Sequence, residues 1–235
     1  MSQNKTFIFS HIPKTAGTSL KVHFQNHLIN EIEFIHFANV GFNSAKKNGL
    51  KPFDQRSEES RAKAKVILGH KVNYKTKMLV KNNEVDEVVI FRDPIAWEIS
   101  RFNQHANRLY KQNKRIIDFK YWLSNVNKTH SQFAWFLANY LLLGSSVSKL
   151  NKQALENLLF YTLSNFKHVL FLDNMNEQIS PVYYQLGISS HPGYENSVGK
   201  HKIQYFENTT DNQRLLQNIC EPEIIIYEKL RSYFS

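Results

Sequence analysis

The sequence predicts an α/β fold in which helices flank a mostly parallel central sheet. Short apolar runs such as Phe7–Phe9 and Glu87–Phe91 alternate with longer segments whose apolar residues recur at helical spacing. No Gly-, Pro- or Ser-rich linker divides the chain, and 235 residues suffice for one substantial core. We therefore expect residues 1–235 to form a single domain.

The N-terminal segment predicts a strand, a tight turn and a helix. Phe7–Phe9 is the strand, and Pro13 and Gly17 mark the turn. Thr18 or Ser19 is expected to cap the helix, because a short side-chain oxygen can accept a free N–H group at a helix start. The apolar residues of the helix recur at helical spacing: Leu20, Phe24, Leu28 and Ile29.

The next segments predict two more strands and then the most strand-like run of the chain. A second strand is expected over Glu31–Phe37, a loop over Asn39–Phe53 and a surface helix over Asp54–Ala64. The apolar run Val66–Leu68 ends at Gly69 and His70, so His70 is expected at a strand exit. Tyr74–Val80 is predicted to be extended, and the strand Glu87–Phe91 stops at Arg92-Asp93-Pro94.

The C-terminal part predicts mainly helices. Pro94 is tolerated in the first turn of a helix over Ile95–Tyr110, because its missing N–H group is not needed there. The other elements expected are helices at Phe119–Val126, His130–Leu143 and Lys152–Phe166, a strand at His168–Leu172, a helix through Leu186 that Pro181 kinks or restarts, a loop at Ser189–Lys202 and a helix at Pro222–Tyr233.

Composition favours an anionic ligand and a soluble protein. The chain has 30 Lys and Arg against 20 Asp and Glu, a net charge of +10. Nucleic acid is one interpretation, but the basic residues are scattered, and a nucleotide-like ligand or an acidic polymer needs only some of them. The single Cys220 excludes an intramolecular disulfide and a multi-cysteine zinc site, and we expect it in the core. No segment has the length of a signal peptide or membrane span, so we expect a cytoplasmic location.

Three polar segments each follow a predicted strand: the turn around Lys14, Gly69-His70, and Arg92-Asp93-Pro94. Ligands of parallel sheets bind beyond the carboxyl ends of the strands, so we expect these segments to converge there. The turn would direct backbone N–H groups, a helix dipole and the charge of Lys14 at an anion. An ordinary turn with a solvated lysine is the alternative. The P-loop pattern requires Lys after the second glycine, whereas Lys14 precedes Gly17, which disfavours a nucleoside triphosphatase.

Two further sets of residues have side chains suited to binding a phosphate or to acting as a base. Arg92 and Ser100, two helical turns apart, can together grip a phosphate, although Arg92 can instead pair with Asp93. His70 is the first candidate for a general base, since a neutral imidazole can take a proton from a hydroxyl near pH 7. The other candidates for the base are the strand-end histidines His11 and His36 and the carboxylates Glu31 and Glu33.

These motifs resemble those of the carbohydrate sulfotransferases, in particular the heparan sulfate and uronyl 2-O-sulfotransferase type. The run His11-Ile-Pro-Lys-Thr-Ala-Gly-Thr-Ser19 after a strand resembles the loop of that family that binds the 5′-phosphosulfate. The run Val88-Val-Ile-Phe-Arg-Asp-Pro94 with Ser100-Arg-Phe102 resembles its 3′-phosphate element. Gly69-His70 falls where the family carries its catalytic histidine.

The resemblance implies a P-loop-like sulfotransferase fold and the donor 3′-phosphoadenosine-5′-phosphosulfate (PAPS), with no metal. Lys14 would neutralise the leaving oxygen, His70 would deprotonate the acceptor hydroxyl of a saccharide, and Arg92 and Ser100 would hold the 3′-phosphate. The donor's 5′ end would be held by the N–H groups of Thr15, Ala16, Gly17, Thr18 and Ser19. Gln132 is a candidate for lining the site, and Glu195–Lys202 is either a loop that closes over the donor or a surface loop.

Two other functions fit the same sequence. One is a magnesium-dependent kinase that binds ATP, and the other is a non-enzymatic basic module that binds acidic polymers. The acceptor and the oligomeric state are not determined by any motif, because loop contacts and pocket shape set specificity.

Overall fold

A five-stranded, entirely parallel sheet forms the centre of the protein in the computed structural model, which describes residues 4–37, 51–81, 83–127, 131–189 and 204–234. The strands are β1 (Lys5–Ser10), β2 (Phe34–Phe37), β3 (Val66–Gly69), β4 (Glu84–Phe91) and β5 (His168–Phe171). Their spatial order is β2-β3-β1-β4-β5. The predicted α/β class and parallel sheet are confirmed.

Helices cover both faces of this sheet. In chain order they are α1 (Gly17–His27), α2 (Glu58–Arg61), α3 (Pro94–Lys111), α4 (Phe119–Tyr121), α5 (Gln132–Tyr140), α6 (Lys152–Leu163), α7 (Met175–Gln178), α8 (Ser180–Leu186) and α9 (Thr210–Phe234). Short 3-10 helices lie at Phe53–Gln55, Thr76–Val80, Gly144–Lys149 and Leu172–Asn174, and a π-helical turn at Trp122–Val126. Within the described ranges, no helix is long and apolar enough to cross a membrane.

The sheet buries alternate residues of each strand in two different cores. Phe7, Phe9 and Val88 belong to the core beneath α1, α7 and α8. Val89 and Phe91 pack instead with α5, α6 and α9 on the opposite face. Successive side chains of a strand point to opposite faces, so these nearly continuous apolar runs are what a strand covered on both sides requires.

Several predicted boundaries differ from those of the structure. Tyr74–Val80 is not extended: Thr76–Val80 is a 3-10 helix. The second strand is only Phe34–Phe37, since residues 31–33 form a turn that begins with Glu31 at φ 62°. The last helix begins at Thr210 rather than near Pro222, and Pro222 lies inside it. The expected Asp54–Ala64 helix is a 3-10 turn followed by the short α2.

The other predicted helices and strands that fall within the described residues agree with the structure to within a few residues. Pro94 occupies the first turn of α3, and Pro181 lies near the start of α8, where a new helix begins. Cys220 is buried, as expected. The predicted loops at Asn39–Phe53 and Ser189–Lys202 lie almost entirely outside the described residues, as does His130.

Candidate functional site

The carboxyl ends of three neighbouring strands bring the predicted site segments together. β1 lies between β3 and β4, and its last residue, Ser10, pairs with Gly69 on one side and Val89 on the other. The loop containing Lys14, the His70 side chain and Arg92 therefore all emerge at the same edge. From β1 the chain continues to β2 and β3 on one side of β1, and then crosses to β4 and β5 on its other side. The strand order therefore reverses next to β1, and ligands of such sheets usually bind at this point.

The loop after β1 has an unusual backbone. Lys14 and Ala16 have φ angles of 72° and 62°, a left-handed conformation that costs a non-glycine residue roughly 1–2 kcal/mol. Two contacts hold the loop in place: Arg92 donates from its guanidinium to the carbonyl oxygen of Lys14 at 3.2 Å, and the Trp97 indole N–H donates to that of Pro13 at 2.8 Å. The 3′-phosphate element predicted from the sequence thus directly supports the predicted 5′ loop.

Helix α1 begins earlier than the capping prediction requires. The residue that precedes it is Ala16, which has no capping side chain, so the prediction of a Thr18 or Ser19 cap is wrong. The left-handed turn at Ala16 starts the helix at Gly17, which places Thr18 and Ser19 within its first turn. The first N–H groups of a helix have no carbonyl partner within it, so this turn presents donors and the positive end of the dipole at the sheet edge.

The residues of the loop differ in what they offer. Thr15 is buried, and both its hydroxyl and its N–H group donate to the carbonyl oxygen of Ile12, at 2.8 and 3.4 Å. Thr15 therefore braces the loop, and the N–H groups that open toward the sheet edge are those of the first turn of α1. Thr18 is exposed and Ser19 is buried.

His70 is held in one orientation and one tautomer. Its Nδ1 lies 2.8 Å from the carbonyl oxygen of His11, and a carbonyl can only accept, so Nδ1 carries the proton. The lone pair of the neutral ring is then on Nε2, the nitrogen that a general base would use. The ring stacks on the His11 ring, with centroids 4.2 Å apart, and meets the Trp135 ring edge to face at 5.9 Å.

The glycine before His70 is required by the sheet. A Cβ on Gly69 would lie 2.0 Å from the carbonyl oxygen of Phe37 on β2. Because the backbone of Gly69 fixes the position of the Cβ and the oxygen belongs to the backbone of the paired strand, no side-chain movement relieves this contact. Gly69 thus lets β2 approach closely enough to fix the point at which His70 leaves β3.

Arg92 is positioned by a residue whose role the sequence did not predict. Gln132, at the start of α5, is 1% exposed; its Oε1 accepts the N–H group of Arg92, and its Nε2 donates to the carbonyl oxygen of Arg92. The Gln132 side chain thus makes to the Arg92 backbone the two hydrogen bonds that a neighbouring strand would make, and we call this pair of hydrogen bonds the clamp. Burial lowers the pKa of Arg92 from its ordinary value, and the negative charge of the nearby Asp93 opposes this shift. An arginine side chain stays protonated in proteins, so the group is a cation at neutral pH.

A buried carboxyl group on α9 supports this clamp from behind. Glu223 accepts a hydrogen bond from the hydroxyl of Ser131, which in turn accepts the N–H group of Ala134 and so caps α5. Burial raises the pKa of Glu223 to about 8, and the bond from Ser131 opposes this shift only in part. Ser131 and Glu223 are 92 positions apart, which explains why no local pattern indicated the arrangement.

Ser100 lies on the same side of α3 as the residues that contact the loop. It follows Trp97 by three positions, and residues three apart are neighbours on a helix surface. Ser100 is half-buried, and within the described chain its side chain makes no hydrogen bond. The proposed partnership of Ser100 with Arg92 therefore depends on a ligand between them rather than on a contact between the two side chains.

The rival bases are less well placed than His70. Glu31 and Glu33 precede β2, at the amino-terminal edge of the sheet; Glu31 pairs with Arg56 at 3.1 Å and Glu33 with Lys65 at 2.7 Å. His36 lies within β2, where burial, followed by the nearby Lys21 and His70, lowers its pKa to about 4. The predicted Glu195–Lys202 loop falls outside the described residues.

Comparison with known proteins leaves the site to be interpreted from its own geometry. No protein-family model matches the chain. No curated protein matches it either.

Proposed function

We propose that this protein is a PAPS-dependent sulfotransferase that transfers a sulfuryl group to a hydroxyl, most simply that of a saccharide. One observation carries the proposal: three features lie together at the carboxyl ends of β1, β3 and β4. They are the Lys14 loop that leads into α1, the His70 ring whose tautomer is set by a backbone carbonyl, and the Arg92 side chain that contacts the loop. The left-handed residues Lys14 and Ala16 also support it, because backbone strain of this kind is concentrated at functional sites.

In this mechanism the protein supplies placement and charge neutralisation. The first turn of α1 binds the 5′-phosphosulfate of the donor, while Arg92 and Ser100 bind the 3′-phosphate. Nε2 of His70 takes the proton of the acceptor hydroxyl as the oxygen forms its bond to sulfur. The bond between sulfur and the bridging oxygen breaks, and its electron pair stays on the 5′-phosphate, where Lys14 stabilises the growing charge.

The acceptor would approach His70 from the side of α5. A small cavity there is lined by Ser10, His11, His70, Trp135 and Asn139, among others. The half-buried Trp135 offers a flat apolar surface and Asn139 a polar group, and mixed linings of this kind recognise polar ligands with apolar faces. These features are the support for a saccharide acceptor.

The first experiment is a binding measurement by isothermal titration calorimetry with adenosine 3′,5′-bisphosphate, the product of PAPS. We expect binding without magnesium, and ATP with magnesium should bind more weakly. Absence of bisphosphate binding would refute the proposal. Magnesium-dependent ATP binding would favour a kinase, and salt-sensitive binding of polyanions alone would favour a basic module.

The second experiment is transfer of labelled sulfate from PAPS to a panel of glycans, lipids and small alcohols. Lys14→Ala and His70→Ala should both abolish most transfer, whereas only Lys14→Ala and Arg92→Ala should weaken binding of the bisphosphate. Lys120→Ala, an exposed lysine on α4, is the matched control and should change neither. Near-native turnover by His70→Ala would exclude His70 as the base.

A further inference from the structure

The side chain of His11 has its polar edge against the first residue of α1. A Cβ placed on Gly17 would lie 1.8 Å from Cε1 and 1.9 Å from Nε2 of His11, so the ring occupies the space that glycine leaves. Both ring nitrogens are buried, and neither has a hydrogen-bond partner among the residues that the structure describes. A neutral imidazole has one donor and one acceptor nitrogen, and leaving such groups unpaired in the interior is unfavourable.

The ring is also fixed where it lies. The backbone N–H group of His11 donates to the carbonyl oxygen of Gly69 at 3.3 Å, and the backbone carbonyl oxygen of His11 accepts from the His70 ring. The rings of His11 and His70 also stack on each other. Rotation away from Gly17 would break the stacking contact. The unpaired nitrogens are therefore held at the helix start, beside the N–H groups of its first turn.

Burial keeps the ring neutral. It is the largest cause that lowers the pKa of His11 to about 3, and the nearby His70, His36 and Lys14 lower it further. An imidazole without charge still donates one N–H group, and it does so without adding to the repulsion that His70 would meet on taking a proton.

We propose that His11 is a donor-binding residue whose ring N–H group hydrogen-bonds to an oxygen of the 5′-phosphate at the start of α1. The inference rests on the proposed function of the loop, and it assigns the unpaired polar edge a partner of definite chemistry, a tetrahedral oxyanion. His11 thereby adds a neutral donor to the charge of Lys14 and the N–H groups of the helix.

The test compares two nucleotides that differ only at the 5′ position, adenosine 3′,5′-bisphosphate and adenosine 3′-phosphate. His11→Phe keeps a ring for stacking on His70 but removes both nitrogens. A hydrogen bond to a charged group corresponds to roughly 10- to 100-fold in affinity. We expect His11→Phe to lower the preference for the bisphosphate by about tenfold or more, and affinity for the 3′-phosphate to stay unchanged.

Two further variants sharpen this test. His11→Gln restores an N–H donor and should recover part of the preference. His23→Phe replaces another buried imidazole, on the face of α1 that packs against Tyr183, and should leave the preference intact. Thermal unfolding establishes that each variant is folded.

The outcomes separate this inference from the proposed function. If the wild-type protein shows no preference for the bisphosphate, the proposed donor site itself is wrong. If the wild type has the preference and folded His11→Phe keeps it, or loses affinity equally for both nucleotides, the ring acts only in packing and the inference is overturned. The ¹⁵N resonances of the wild-type His11 ring, which need no variant, should shift when the bisphosphate is added, and unchanged resonances would also overturn it.

Discussion

Replacement of Gln132 by leucine should separate the stability of the fold from recognition of the 3′-phosphate. The change keeps the volume of the side chain but removes both hydrogen bonds to the backbone of Arg92. Each of the two buried backbone groups left without a partner costs about 1–3 kcal/mol, so we expect unfolding to require about 2–6 kcal/mol less free energy. Without the clamp, the end of β4 no longer holds the Arg92 side chain in one direction.

The assay uses adenosine 3′,5′-bisphosphate and adenosine 5′-phosphate, which lacks the 3′-phosphate. The ratio of their dissociation constants reports the contribution of the 3′ group, and an arginine contact of about 1.5–3 kcal/mol corresponds to roughly 10- to 100-fold. We expect Gln132→Leu to reduce this ratio toward that of Arg92→Ala. Urea unfolding at the same pH measures the change in stability.

The matched control is Gln178→Leu. Gln178 accepts the N–H group of Phe171 at 2.7 Å, a single contact at the end of β5, one strand further from the site. This variant should lose about 1–3 kcal/mol of stability and keep the nucleotide ratio. A destabilised Gln132→Leu protein with an unchanged ratio would refute the role of the clamp, provided that Arg92→Ala does lower the ratio.

Three further predictions concern other parts of the same edge. His70→Asn should lower the sulfuryl-transfer rate by about 10²- to 10⁴-fold in single-turnover assays, with His105→Asn as the control, while bisphosphate affinity changes little. Gly69→Ala should lower the melting temperature, with a cost of about 1–3 kcal/mol or more, because its methyl group meets the backbone of Phe37. Burial raises the pKa of Glu98 from 4.5 to about 7, so the folded state binds more protons than the unfolded state between those values, and stability should fall as pH rises through that window. Glu98→Gln should reduce the fall that urea unfolding measures by on the order of 3 kcal/mol, while the fall caused by the raised pKa of Glu223 remains; an unchanged pH dependence in this variant would contradict the assignment.

Elements whose signals are local could be predicted from the sequence. The apolar runs Val66–Leu68 and Glu87–Phe91 fall within β3 and β4, because strands covered on both faces need unbroken apolar stretches. Pro94 began its helix where expected, since proline restricts its own backbone whatever surrounds it. The Thr18 or Ser19 cap failed because the left-handed turn at Ala16, held by contacts of the loop to Arg92 and Trp97, sets the start of the helix.

The residues of the candidate site could be predicted from the sequence, but the residues that hold them in position could not. The parallel sheet brings every strand's carboxyl end to one edge, so the strand pattern alone was enough to expect Lys14, His70 and Arg92 together. Gln132 was considered only as a residue that lines the site. Its pairing with the Arg92 backbone, and the hydrogen bond from Ser131 to the Glu223 carboxyl group behind it, join positions 40 and 92 residues apart, and such contacts leave no local pattern.

The sequence by itself therefore determined the fold class, the polar segments at the strand ends and the identity of the charged groups, because hydrophobic periodicity and turn residues act over a few positions. Only the tertiary structure decided the tautomer of His70, the stacking of His11 on it and the direction of Arg92. Each of these depends on a carbonyl, a ring or an amide delivered from a different element, and the close packing of the sheet edge fixes their distances.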